Sequence, residues 1–119
     1  MNRYQSQVRF MPFGSRGQRA LRKAVIAIVG VGALGSVSAE LLCRAGVGKL
    51  VLIDRDIVAL GNLQRQVLFA EEDVDQSKAL VAGRRLKTFN SEVKIEAHFA
   101  DLTEENCASL LRGVTLVVD

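Results

Sequence analysis

The hexapeptide Gly30-Val31-Gly32-Ala33-Leu34-Gly35 is the first place in this chain where residue types and spacing could do chemistry. It follows the apolar run AVIAIV, and a second apolar run, KLVLID, ends on Asp54. Glycine lets the backbone turn tightly and approach a ligand without a Cβ in the way. A helix beginning just beyond would present unpaired N–H groups and partial positive charge, which suit phosphate. An acid at the end of the second strand can accept hydrogen bonds from ribose hydroxyls. Strand, glycine turn, helix, strand and terminal acid between positions 24 and 54 form the fingerprint of a nucleotide-binding crossover unit, with Gly30, Gly32, Gly35 and Asp54 at the nucleotide.

Glycine clusters of this type point first to a dinucleotide, and hence to an NAD(P)-dependent oxidoreductase. The next segment pulls toward a triphosphate. Asp54-Arg55-Asp56 opens a loop that leads to Gly61-Asn62-Leu63-Gln64-Arg65-Gln66. Arginine offers a planar fork of donors for phosphate oxygens, and the amides can orient the chain. The alternative is a polar face on a short helix over 63–68, N-capped by Asn62, with Leu63, Val67 and Leu68 turned inward. Lys78 adds a separate hint, because it falls in the first turn of a helix, where an exposed cation is disfavoured by about 0.3–1 kcal/mol. An anion held between Lys78 and the helix end would remove that conflict; a solvated surface lysine is the other reading.

These residues need elements to hold them, and the pattern supplies strands and helices in alternation. A strand is expected over 24–29, then a helix over 34–45 ending on Gly46, with Val47 as its hydrophobic contact. A strand over 50–54 follows, then an acidic loop over 71–75 and a helix over 77–89 with Ala79, Ala82, Leu86 and Phe89 near one face. A less buried strand covers 93–98, Asp101 and Glu104 make a capping-box-like helix start, and a buried strand covers 114–118. Alternation of this kind predicts an α/β fold: a doubly wound, mostly parallel Rossmann-like sheet with helices on both faces. Because the chain stops at the carboxyl end of a central strand, it is expected to be part of a longer polypeptide.

Composition bounds the classes. With 119 residues, 49% hydrophobic and 24% charged, the chain can bury a core of its own. No apolar run reaches the roughly 20 residues a bilayer needs, and no signal peptide is apparent, so neither a membrane nor a secretory role is expected. Cys43 and Cys107 make no ligand pair, and Cys43 reads as a buried apolar residue; a reducing cytoplasm fits. The net charge of +3 conceals an asymmetry, because positions 1–23 hold six cations and no acid and positions 24–119 therefore sum to −3. This basic, partly helical arm suits an anionic partner, or docks through Phe10, Phe13 and Leu21. It lacks the aromatic interleaving of single-strand binders, so nucleic acid is not expected.

Taken together, Arg3-Tyr4, Gly17-Gln18, GVGALG, AGVGKLVLIDRDIV, NLQRQVLF, Lys78 and the terminal LVVD resemble the ThiF/MoeB/HesA-like adenylyltransferases, bacterial relatives of ubiquitin-activating enzymes. The resemblance implies ATP and magnesium as cofactors. It implies adenylation of the C-terminal carboxylate of a ubiquitin-like or sulfur-carrier protein, with release of pyrophosphate, by a homodimer. On that footing Gly32 and Ala33 lie against the nucleotide, Asp54 binds ribose and Asp56 opens the loop beside it. Asn62, Arg65 and Lys78 approach the phosphates, Arg65 and Lys78 as the catalytic cations, and Gln66 supports their loop. Two departures stand out. Ser6 occupies the place of an arginine that, in the family, reaches the neighbouring subunit's site. Asp119 matches only the first acid of an Asp-x-x-Asp pair, so the magnesium-binding acid, and any zinc-binding cysteines, are expected beyond it. The rival readings are the oxidoreductase domain and a non-catalytic scaffold half of an activating-enzyme dimer, the latter favoured by Ser6.

Overall fold

The structure, a computed structural model, describes residues 2–10 and 12–119. Helices α1 (Gln5–Arg9) and α2 (Gly14–Lys23) precede β1 (Val25–Val29), α3 (Ala33–Ala45) and β2 (Lys49–Asp54). Short 3-10 turns at Leu60–Asn62 and Glu71–Asp73 lead to α4 (Lys78–Phe89), β3 (Lys94–Phe99), α5 (Cys107–Leu110) and β4 (Leu116–Val118). The four strands form one sheet in the order β3-β2-β1-β4, all pairs parallel. Side chains alternate across each strand, so β1 and β2 feed two cores. Ile26, Ile28, Leu50 and Leu52 pack with Ala39 and Cys43 of α3 and Val81, Ala82 and Leu86 of α4 on one face. Ala27, Val51 and Ile53 meet Leu102, Leu110 and Leu111 on the other. The sheet is doubly wound, and its order reverses between β1 and β4, where such folds open a crevice.

Gly46 ends α3 in the left-handed region at φ +93° and its N–H bonds back to Leu42 and Cys43. A Cβ there would also fall 2.6 Å from the Tyr4 ring. The position therefore closes the helix and admits the arm. The arm docks through Leu21, which packs against the core, and through polar groups, while Phe10 is 65% exposed. Buried Asn90 donates to the Tyr4 hydroxyl at 2.8 Å and to the Cys43 carbonyl at 2.9 Å. Gln7 and Gln18 both donate to the Ala45 carbonyl, at 3.0 and 3.1 Å, satisfying an orphan acceptor at the end of α3.

Four expectations change. Residues 63–68 form turns, and Asn62 closes the 3-10 turn before them instead of capping a helix. The acidic run is not simply solvated: Asp73 is buried, accepting from the Ala70 N–H at 2.8 Å and from Arg85 at 2.9 Å. The capping box belongs to Thr103 and Asn106, which exchange side-chain-to-backbone bonds at 2.8 and 3.3 Å, while Asp101 turns to Arg55. Finally, β4 is an outer strand with Leu116 and Val117 exposed, because only β1 pairs with it among the described residues.

Asp73 and Arg85 tie the 3-10 turn at Glu71–Asp73 to α4. Arg85→Ala would leave a buried carboxylate with one backbone donor, and should cost about 2–3 kcal/mol, read as a lower urea midpoint at unchanged m-value. On β3, Glu96 accepts from His98 at 2.8 Å and pairs with Lys49 at 3.0 Å. The His98 hydrogen bond, then that of Lys49, hold its carboxyl below the usual range. A depressed folded-state pKa adds stability above the unfolded value that is lost as pH falls through the folded one. Acid unfolding of Glu96→Gln should therefore converge with that of the parent only below the ordinary carboxylate range.

Candidate nucleotide site

Gly30 leaves β1 at φ +93°, a conformation open to glycine, and its N–H bonds the Ile53 carbonyl at 2.9 Å. Five residues on, a Cβ at Gly35 would lie 1.9 Å from the Gly30 carbonyl oxygen. The missing side chain at Gly35 is what brings the head of α3 against β1. Gly32, the residue before α3, has no side chain to cap it, so the first-turn N–H groups at Ala33, Leu34 and Gly35 meet no capping side chain. They are an anion-accepting end by construction.

A continuous line of hydrogen bonds joins this turn to the rest of the site. Asp54 Oδ2 accepts from the Val31 N–H at 2.7 Å, and Oδ1 accepts from the Asp56 N–H at 2.8 Å. The Asp56 carbonyl accepts from the Lys78 N–H at 3.1 Å. The end of β2 thus fixes the glycine turn on one side and the start of α4 on the other. Lys78 is 6% exposed and makes no ion pair among the described residues. The surface-lysine reading is therefore overturned: the first turn of α4, capped separately by Ser77, packs its lysine inward.

Gln66 lies beside Gly32, with its Nε2 3.7 Å from where a Gly32 Cβ would stand. It is buried, and its Oε1 has no hydrogen-bond partner. An orphaned buried acceptor costs about 1–3 kcal/mol, the kind of deficit a bound ligand or water relieves. Asn62 and Arg65 share this loop but turn to their own backbone: Asn62 Oδ1 accepts from the Ala59 N–H at 3.0 Å and Arg65 donates to the Gly61 carbonyl at 3.1 Å. The structure therefore brings together Gly30, Gly32, Ala33, Gly35, Asp54, Asp56, Gln66 and Lys78. Asn62 is half-buried at the edge of this loop and Arg65 is exposed.

On the other side of the glycine turn, a cavity of about 260 Å³ opens at the carboxyl ends of the strands, between Gly30, Asp54, Ala100, Leu102 and Asp119. An exposed Arg55–Asp101 pair at 3.7 Å stands at its rim. Residues 100–102 carry no motif, and only the sheet order, which sets the end of β3 beside Asp54, signals them. No group of three His, Cys, Asp or Glu side chains is arranged to hold a metal among the described residues.

A model of the ThiF family matches residues 4–119. The sulfur carrier protein ThiS adenylyltransferase of Bacillus subtilis is 46% identical over 119 residues, covering 98% of this chain and 35% of that protein. The molybdopterin-synthase adenylyltransferase of Salmonella typhimurium is 39% identical, covering all of this chain and 48% of that protein. Among solved structures, the E. coli tRNA N6-threonylcarbamoyladenosine dehydratase TcdA in complex with ATP superposes with a TM-score of 0.90 at 31% identity, over 98% of this chain and 48% of that one. The chain spans less than half the length of each of these relatives.

Proposed function

Because the chain belongs to the ThiF family, we propose that it is the ATP-binding part of an adenylyltransferase that activates the C-terminal carboxylate of a ubiquitin-like or sulfur-carrier protein. One relative is named as an adenylyltransferase of a sulfur carrier protein, another as a molybdopterin-synthase adenylyltransferase, and a third has been solved with ATP. The observation that carries the reading is the buried Lys78, without an acid partner among the described residues and hydrogen-bonded through its backbone to the Asp54–Asp56 turn. A dinucleotide site needs the glycine turn and Asp54 but gives no role to this cation. A triphosphate does.

The proposed chemistry asks little covalent work of the protein. A carboxylate oxygen attacks the α-phosphorus, the bond to the α–β bridging oxygen breaks, and pyrophosphate leaves with that oxygen. Charge grows on the bridging and non-bridging oxygens, so fixed cations and donors lower the barrier. In this reading Asp54 takes the ribose hydroxyls while the uncapped head of α3 at Gly32 and Ala33 faces phosphate. Lys78 and a swung Arg65 neutralise the developing charge; Asn62 and Gln66 hold their loop. No helix is long and apolar enough to cross a membrane among the described residues. A homodimer fits the exposed side chains of Phe10, Leu34, Val37 and Leu41, which leave an apolar stripe along α3 beside the arm.

Ser6, exposed where the family places an arginine, favours a second reading as a scaffold that binds ATP without turnover. ATP–pyrophosphate exchange by the full-length protein with candidate carriers separates the two. Carrier-dependent exchange supports the enzyme, whereas ATP binding with no exchange for any carrier supports the scaffold. Binding of NAD in place of ATP would sink both.

A further inference from the structure

A second cavity, of about 480 Å³, lies at the opposite end of the sheet, where β1, β2 and β3 begin. It is bounded by the end of α2, the α3–β2 connection and the start of β3, and carries Arg22, Lys23, Lys49 and Lys94 against a single acid, Glu92. The local acids are already engaged: Glu92 pairs with Arg3 at 3.4 Å, and Lys49 takes Glu96 at 3.0 Å. Arg22, Lys23 and Lys94 make no ion pair among the described residues.

Helix stabilisation explains only part of this. Arg22 and Lys23 sit in the last turn of α2, where cations suit the dipole. Lys94 starts a strand and gains nothing from it. Arg16 and Arg19 lie toward the other end of α2, whose first turn holds no acid, so that helix carries cations where its dipole opposes them. Three exposed cations with no acid partner among the described residues line one concavity, and an anion bound among them would relieve their mutual repulsion. The volume falls within the range of small-molecule sites. One guanidinium fork with two ammonium groups suits a tetrahedral, multiply charged oxyanion better than a single carboxylate.

We propose that this cavity is an anion site for pyrophosphate or a phosphomonoester, separate from the nucleotide crevice. The two sites stand a strand length apart, about 15–20 Å for strands of five or six residues. An anion here reaches no atom of the nucleotide site and acts, if on activity at all, through the sheet. The site does not depend on the adenylation reading, because none of its residues belongs to that site.

The test is calorimetric titration of the full-length protein with pyrophosphate, and in parallel with a sugar phosphate, at low salt. Lys23→Gln/Lys94→Gln should weaken saturable binding by about tenfold or more, while Lys78→Met, which removes a cation from the nucleotide crevice, should leave that binding in place. Loss with Lys78→Met and none with the lysine pair would assign all anion binding to the nucleotide crevice and overturn the proposal. Binding that never saturates and declines with salt alike in every variant would overturn it too. Saturation by the sugar phosphate alone would name a phosphomonoester, and by pyrophosphate alone a free polyphosphate. Amide shifts supply a check that needs no variant: they should centre on Val25, Gly48 and Lys94, and shifts confined to Gly30–Gly35 would refute the site.

Discussion

Lys78→Met in the full-length protein should cut ATP–pyrophosphate exchange by about 10²–10³-fold, the range for removing one preorganised charge from a transition state. Its folding stability should hold or rise. The two expectations come from the same fact. The Lys78 side chain is buried at the head of α4 with no carboxylate beside it among the described residues. A buried, unpaired ammonium is a cost to the folded state, and methionine keeps the length and packing while removing the charge. A lysine kept for structure would show the reverse: lower stability and little change in exchange. Alanine is the poorer substitution, because it would open a void at a position with 6% exposure. Arg65→Ala, at an exposed position, should lower exchange with stability unchanged. Exchange retained in both variants would remove the phosphate assignment of these cations.

Gly35→Ala should be strongly destabilising. The added Cβ would stand 1.9 Å from the Gly30 carbonyl oxygen and 3.4 Å from Ile28 Cγ2, and the first of these contacts is backbone that cannot rotate away. The head of α3 must move off β1, for a loss of about 2–4 kcal/mol. Nucleotide affinity should fall with it, because the uncapped N–H groups at Ala33 and Leu34 travel with the helix. Gly30→Ala is the control. Nothing lies within 4 Å of its Cβ position, so only the strain at φ +93° is added, about 1 kcal/mol. Urea midpoints and ATP affinity measured on both variants decide between close approach and turn geometry. A Gly30→Ala loss equal to or greater than that of Gly35→Ala would show that turn geometry dominates.

The crossover from β1 through α3 to β2 was legible because its signals are local. Continuous apolar runs, glycines at the turn and Gly46 at the helix end each act within a few residues. The NLQRQ cluster and Lys78 were legible as candidates by residue type, but not in their conformation. Asn62 spends its side-chain oxygen on Ala59, and Arg65 rests on Gly61, because a 3-10 turn ends on Asn62 and turns follow over 63–68 where a helix was expected. The capping signal at 101–106 was read two residues early, since Asp-x-x-Glu and Thr-x-x-Asn overlap and only one register packs Leu110 and Leu111 under the sheet.

By itself, then, the sequence determined the α/β order, the glycine turn and the acid at its far side, because backbone conformation there follows from neighbours in the chain. Tertiary structure alone decided which charges went inside. Asp73 read as part of a solvated loop and Lys78 as either an anion ligand or a surface lysine; Lys78 is buried with no acid beside it among the described residues, and Asp73 is buried against Arg85. The same holds for Tyr4, Gln7, Gln18 and Asn90, which stitch the arm to the end of α3 across as many as 86 positions. Burial depends on which elements stack, and that is set by the doubly wound sheet as a whole rather than by any window of residues.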